Sequence, residues 1–570
     1  MKKTCAFLLA AVMIFAMALP VCASSSGSGT AAAPASTSTA NIVVTSGNAN
    51  DELDAYKVVT AAFDETTNNL TLTFTDAFSA FIKSESNKTA VKTVDDYCNL
   101  TSGSDTMKTL LGEFSAYVKA TGSTISYDYK ATTDADGKAT FSNVAMGQYI
   151  IIGAGNTTGA KIYQTVTAEV VPEISDSKYV LYPEYDVTMK TSTPTSDKTV
   201  KGTTADTNNN ATASIGDTLS YELSADVPTY PNGATNTTFY MGDTLSNGLT
   251  LKSTAEQIVV TGYIENSATG TVLTRGTDYT VTISGQKLYI DFTYANIKKY
   301  AKVTADYDAI LNENAKVGTS TGNLNTYDLI YSNSPFHGDT STTHPDKDTP
   351  GYGSHESTKT VYTYALIINK YAKDSPDTKL ANATFQIKDA NGTAVGTVTT
   401  DANGYAAYSG LEAGTYTLTE TTAPTGYKLL SDPVTIKIDS SQAFASSTTT
   451  TTTTYTTDKT KAKYGVQALN AEGTPLWLAE GATGGEPTAN AAQPAGYVPA
   501  YVASVTTTVT GTPGTGTAAD GYYKTDIANA KGSTLPSTGG IGTTIFTITG
   551  ICLMLAAAVL LITKKRMSVR

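Results

Sequence analysis

Lys370 closes an apolar run, Ile367-Ile368-Asn369-Lys370, and Glu420 lies in Leu418-Thr419-Glu420-Thr421, both in stretches that read as strands. A lysine carried into an apolar core loses its charge, because desolvation lowers its pKa and frees the amine as a nucleophile. A buried carboxyl shifts the other way, stays protonated, and can polarise a carbonyl or pass a proton to a leaving group. Burying both without such a use would be costly. The competing arrangement is a snorkelling Lys370 and a surface Glu420, the usual fate of both residue types. A second set has the same character: Asp197-Lys198-Thr199-Val200, then Met241-Gly242-Asp243-Thr244-Leu245, then Tyr331-Ser332-Asn333-Ser334-Pro335. For Asp243 the alternative is a turn residue ahead of a strand.

Other chemistries find little support. His337, His344 and His355 are spaced by seven and eleven with no cysteine nearby, which is no metal pattern, so we expect a surface loop and no metal or cofactor. No nucleotide loop, metalloprotease helix or serine-nucleophile elbow is present. The net charge is −12; without residues 1–23 and 539–570 it becomes −18, from 33 basic and 51 acidic residues. So acidic a chain has nothing to neutralise phosphates and excludes nucleic acid as a partner.

The elements that must hold these residues are strands. The chain is rich in Thr, Val, Ala and Tyr, with alternation as in Thr280-Val281-Thr282-Ile283 and Thr415-Tyr416-Thr417-Leu418, and turns at Asn-Gly, Asp-Gly and Ser-Gly pairs. We expect an all-β chain of tandem immunoglobulin-like sandwiches. After a linker at 24–40, three segments are expected: 41–190, 191–357 and 358–533. Thr191–Ser196 forms the first joint, and Phe336–Ser357 a loop or the second. Helical spacing at Asp76–Lys83 and Thr106–Lys119 adds some helix to the first segment. Thr448–Thr454 reads as a mobile insertion in the third. An internal repeat joins the outer segments: Thr133-Asp134-Ala135-Asp136-Gly137, Phe141 and Gly147-Gln148-Tyr149 recur 267 residues on as Thr400-Asp401-Ala402-Asn403-Gly404, Tyr408 and Gly414-Thr415-Tyr416. The repeated turn lacks a downstream bidentate acid, so it reads as a turn and not a calcium loop.

The two ends add a third kind of chemistry. Lys2-Lys3, an apolar stretch from Ala6 to Leu19 and Val21-Cys22-Ala23 form a secretory signal, expected at 1–23. At the other end Leu535-Pro536-Ser537-Thr538-Gly539 precedes an apolar run, 541–563, long enough to cross a bilayer, and a basic tail, 564–570. This order resembles the sorting signal of Gram-positive surface proteins. The resemblance implies that sortase cuts between Thr538 and Gly539 and joins the Thr538 carbonyl to an amine, leaving the chain bound to peptidoglycan in the cell wall. Of four cysteines only Cys98 lies outside these end segments, so no disulfide can form within the exported part.

Around Glu420, the run Glu420-Thr421-Thr422-Ala423-Pro424-Thr425-Gly426-Tyr427, with Lys370 before it and Ile527-Ala528-Asn529 after it, resembles the B-type repeats of collagen adhesins and the C-terminal domains of Gram-positive pilins. That resemblance implies a spontaneous amide bond between Lys370 and Asn529, assisted by Glu420. The second segment is similar to the middle domain of sortase-assembled backbone pilins, which implies Lys198 and Asn333 as a bonded pair with Asp243 as the assisting acid. In the first segment the 267-residue offset carries Glu420 onto Gly153, so no staple of this type is expected there. Backbone pilins also carry an acceptor lysine at the end of the N-terminal domain. Lys190 holds that place, although Thr188-Met189 replaces the expected Tyr-Pro, and Lys178 is the second candidate. The expectation is therefore a major pilus subunit that is no turnover enzyme. Its partners would be sortase, identical subunits, peptidoglycan and a host surface ligand. The alternative is a monomeric wall-anchored or pilus-tip adhesin.

Overall fold

The computed structural model describes residues 26–45, 47–84, 91–101, 103–120, 123–154, 160–320, 322–337, 343–439, 444–445, 448–510, 513, 520–532 and 541–567. The expected signal at 1–23 and the sorting motif at 535–539 lie outside the described residues.

Three pairs of sheets follow one another along the chain. In the first, Thr39–Thr45 and Glu184–Thr188 pair in parallel inside a four-stranded sheet, and Glu52–Asp64 and Gly147–Gly153 pair antiparallel inside a five-stranded one. Gly147–Gly153 is apolar at nearly every position because both its faces are covered. Tyr149 and Ile151 point into the core between the sheets, whereas Ile150 and Ile152 meet Phe78, Phe81 and Phe114 of the helices Asp76–Ser84 and Asp105–Lys119. A short helix, Val94–Cys98, starts on a capping box in which Thr93 and Asp96 exchange hydrogen bonds. The helices expected from spacing are present, and Cys98 is buried among them, its thiol pushed up to about 12 by desolvation.

The second pair of sheets encloses one large core, from Leu219 and Tyr221 on one side to Met241, Ile290 and Tyr327 on the other. Its last strand, Tyr352–Val361, pairs along the whole of Asn323–Ser332. The Gly- and Thr-rich composition that suggested a loop through Ser357 thus covers a paired strand from Tyr352 onward, and we propose the second division of the chain at 362–363. The histidines take separate partners: His344 stacks on Tyr289 and contacts Asp291 at 3.0 Å, while His355 Nδ1 lies 2.8 Å from Ser196 Oγ.

In the third pair, Tyr364–Ala372 lies between Tyr405–Leu411 and Tyr522–Asn529, antiparallel to the former and parallel to the latter. The repeat is visible atom by atom. Asp134 Oδ1 accepts from the Asp136 and Lys138 amides, and Asp401 Oδ1 from those of Asn403 and Tyr405. Gly137 and Gly404 supply the positive φ that closes each turn (73° and 76°). Tyr149 and Tyr416 each donate to the carbonyl four residues back.

The threonine tract is a strand, Thr448–Thr456, paired antiparallel with Tyr501–Thr510, as suits β-branched side chains on a pleated ribbon. The chain between them folds back on the second pair of sheets, where Tyr464, Leu476 and Val502 pack with Ile310, and Asn314 Nδ2 donates to Leu469 O at 3.1 Å. At the other joint, Phe336 leaves the second unit to enter the helical core of the first, and Tyr331 Oη donates to Ala160 O at 2.7 Å. The helix Ile541–Met567 contains a 21-residue stretch of mean hydropathy 2.7 with nothing packed on it, apolar and long enough to cross a membrane. Replacing the buried Phe336 by alanine should cost the helical layer about 3–5 kcal/mol. Hydrogen exchange of the Asp105–Lys119 amides should speed up accordingly, with the Tyr364–Ala372 amides unchanged.

Candidate cross-linking centres and acceptor lysine

Alternation along Tyr364–Ala372 turns Tyr364, Leu366, Ile368 and with them Lys370 into the third core. Tyr416, Leu418 and Glu420 do the same from the facing sheet, and Ile527 and Asn529 from the last strand. The three polar residues therefore meet in an apolar interior, where Lys370 is 0%, Glu420 4% and Asn529 1% exposed. Lys370 Nζ touches Asn529 Oδ1 and lies 3.5 Å from Glu420 Oε1. Asn529 Nδ2 donates to both Glu420 oxygens at 2.9 Å. Desolvation brings the Lys370 pKa down from 10.5 to about 8, against the opposing pull of Glu420. The amine thus faces the amide carbon from the carbonyl side while the carboxyl holds the amide nitrogen.

The backbone of Lys370 is fixed by the repeat turn: its N–H donates to Gly404 O at 2.7 Å. In the first unit Gly47 makes the same bond to Gly137 O, at 3.0 Å. A glycine stands where the third unit has its lysine. The buried ion pair of the first unit, Lys119 Nζ to Asp54 Oδ2 at 2.5 Å, instead ties the end of a helix to a strand.

In the second core Lys198 Nζ lies 2.5 Å from Asp243 Oδ1 with both side chains fully buried. Desolvation lowers the Lys198 pKa to about 8 and raises that of Asp243, the mutual attraction opposing each shift. Tyr307 Oη donates to Asp243 Oδ2 and accepts from Asn325 Nδ2, the latter at 2.6 Å. Asn333 is elsewhere. Asp243 stands opposite Tyr327, so Asn333 is six residues further along that strand, roughly 20 Å at ~3.3 Å per residue. There it follows the last paired residue, its N–H on Gly351 O. Asn325, only two residues from Tyr327 and on the same face, is buried and reaches Asp243 through the Tyr307 hydroxyl. Both asparagines have inward parity; only the register separates them, and the sequence carries the parity alone.

Lys190 is exposed in the segment that follows Glu184–Thr188. Its neighbour Met189 is buried with its N–H on Thr45 O, and its own carbonyl accepts from Gln164 N at 2.9 Å, so a fixed backbone presents a free-standing side chain. Lys178 is exposed on the hairpin of Glu173–Ser175 and Lys178–Val180.

Tandem sandwiches thus precede an apolar helix long enough to cross a membrane, and comparison with known proteins places this order among the surface pilins. Residues 215–335 match the family described as Gram-positive pilin backbone subunit 2, Cna-B-like domain; 365–465 match the SpaA prealbumin-like fold domain; 528–568 match the LPXTG cell wall anchor motif. The Trypsin-resistant surface T6 protein of Streptococcus pyogenes is 31% identical over 452 residues, 75% of this chain and 81% of that protein. The solved T6 backbone pilin of serotype M6 S. pyogenes superposes with a TM-score of 0.61 at 24% identity, covering 88% of this chain and 100% of that one. The full-length major pilin SpaD of Corynebacterium diphtheriae gives 0.45 at 15% identity over 88% and 99%. The chain belongs to the backbone pilins of Gram-positive bacteria. It is a structural subunit of a surface pilus, processed by sortase and anchored in the cell wall, and not an enzyme.

Asp243→Ala should destabilise the second unit by about 3–5 kcal/mol, because it strands a buried lysine. In that variant the folded state holds the Lys198 proton less tightly than the unfolded state, whose pKa is near 10.5. Urea midpoints of the variant should therefore rise as pH is taken from about 8 to 10.5. Lys198→Met/Asp243→Leu should abolish this rise with pH, because no buried lysine is left to titrate.

Proposed function

We propose that this pilin is stapled by two internal amide bonds, Lys370–Asn529 and Lys198–Asn325, and that it polymerises through Lys190. The observation that carries the first bond is the convergence of amine, amide and carboxyl in one dry core. The neutral Lys370 amine attacks Asn529 Cγ, a proton passes from Nζ through Glu420 to Nδ2, and ammonia leaves as the new C–N bond forms. Asp243 plays the part of Glu420 in the second centre. Each amide would close a loop of more than a hundred residues and, by analogy with disulfides, stabilise by ~5 kcal/mol.

Between subunits, sortase would form a thioester with Thr538, and the Lys190 amine of the next subunit would resolve it. Donor and acceptor lie far apart on the chain, so the linkage is heterologous and builds an open fibre. Lys190 is favoured over Lys178 by its rigid backbone beside the joint. A host surface ligand remains part of the proposal as the purpose of such a fibre.

The purified ectodomain, Ser24–Ser533, should weigh two ammonias less than its sequence. Asn325→Ala and Glu420→Ala should each restore one ammonia, whereas Asn333→Ala should restore none. An intact mass equal to the sequence mass would refute the staples. In the native host, wall extracts should show a high-mass ladder that survives boiling in detergent. Lys190→Arg should collapse it to monomer, because arginine stays protonated and cannot attack a thioester. A ladder that persists moves the acceptor to another lysine, with Lys178 next; monomer alone in the wild type favours a single-subunit adhesin.

A further inference from the structure

The two centres differ by one methylene. Glu420 reaches Asn529 Nδ2 directly, with both oxygens at 2.9 Å. The carboxyl in the middle unit belongs to an aspartate, and its path to the Asn325 amide runs through the Tyr307 hydroxyl, which touches Asp243 Oδ2 on one side and Asn325 Nδ2 on the other. Tyr307 is held in that position by stacking on Tyr221, 5.4 Å between ring centroids, and the Lys198 ammonium lies 5.1 Å from the Tyr221 ring centre. A hydroxyl thus occupies the gap that the longer glutamate closes by itself in the third unit.

Building on the reading that Lys198 and Asn325 become joined, we propose that Tyr307 is a third catalytic group of the middle unit, a hydroxyl relay between Asp243 and the leaving nitrogen. The Lys198 amine attacks Asn325 Cγ and passes a proton to Asp243 Oδ1. At rest Nδ2 donates to the Tyr307 oxygen and the hydroxyl donates to Oδ2. Once attack has made Nδ2 tetrahedral and basic, both bonds reverse, and the proton then carried on Asp243 Oδ2 moves to the Tyr307 oxygen as that hydroxyl gives its own proton to Nδ2. The Cγ–Nδ2 bond breaks and ammonia departs. Asp243 begins and ends protonated, and Tyr307 is neutral before and after, so nothing beyond the three side chains and the lysine is consumed. Burial raises the Tyr307 pKa well above its ordinary value, which keeps the hydroxyl intact as a shuttle.

Peptide mapping by mass spectrometry of the full chain, purified in detergent, reads the cross-link directly. Tyr307→Phe should slow linkage by about 10²-fold, leaving Lys198 and Asn325 as separate peptides in most freshly made chains, with Lys370–Asn529 still joined. Adding Asp243→Glu should restore the Lys198–Asn325 peptide, since the longer carboxyl reaches Nδ2 without a relay. Loss of a merely structural hydroxyl would not be mended in this way. Full linkage in Tyr307→Phe at the wild-type rate overturns the relay, and so does an unlinked double variant that retains its fold by circular dichroism. Should Tyr307→Phe alone fail to fold, linkage in the double variant decides the case, and an unfolded double variant also counts against the relay. A wild-type chain without the Lys198–Asn325 peptide removes the reading on which the relay rests; a joined wild type with an equally joined Tyr307→Phe removes the relay alone.

Discussion

A lysine inside a β-sandwich is tolerable only if a carboxyl from the opposite sheet meets it, and this constraint organises two of the three units. Lys198 with Asp243 and Lys370 with Glu420 each bridge the two sheets of a sandwich through a core that is otherwise aliphatic and aromatic. Such a pair demands more of its surroundings than a leucine pair would. The register of each strand must place the two charges opposite one another, and the neighbouring rings must keep water out. Phe385 and Tyr221, the rings under the two ammonium groups, serve that end. The described cysteines, Cys98 and Cys552, form no disulfide, so the cross-sheet lysine centres have no disulfide beside them among the described residues.

Much of this was legible in the sequence, for reasons that also explain what was not. The resemblance around Glu420 implies Lys370, Glu420 and Asn529 as one set, and the alternation of the strands agrees with their shared interior face. Distance along a strand is not written in that alternation. It depends on how far one strand has slid against another, and that register puts Asn325, not Asn333, within one hydroxyl of Asp243. Tyr307 was invisible for the same reason: its role arises only because a neighbouring aspartate falls one methylene short. The first unit's glycine at position 47 could not be aligned with Lys370 by the constant offset, because that correspondence is made by a hydrogen bond to a turn and not by chain position.

Composition misled in two other places. Threonine tracts and Gly-rich stretches signal loops on average, yet Thr448–Thr456 and Tyr352–Val361 are both paired strands. In each case a long partner strand supplies the hydrogen bonds, and tertiary pairing overrides the local preference. The ribbon is the base of an insertion that grips the middle unit around Ile310, so the second joint is braced by a segment that the third unit's own sandwich does not need.

The parallel pairing of Tyr364–Ala372 with Tyr522–Asn529 has a mechanical consequence. In a fibre pulled from its ends, load enters this unit at Tyr364 and leaves beyond Asn529, at opposite ends of two strands that lie side by side. Before Lys370 and Asn529 are joined, their ladder is loaded in shear, all rungs at once; once they are joined, the amide carries the load from one strand to the other. The threonine ribbon Thr448–Thr456 with Tyr501–Thr510 lies off this line of force. The surface of that ribbon can change without touching the residues that join Lys370 to Asn529.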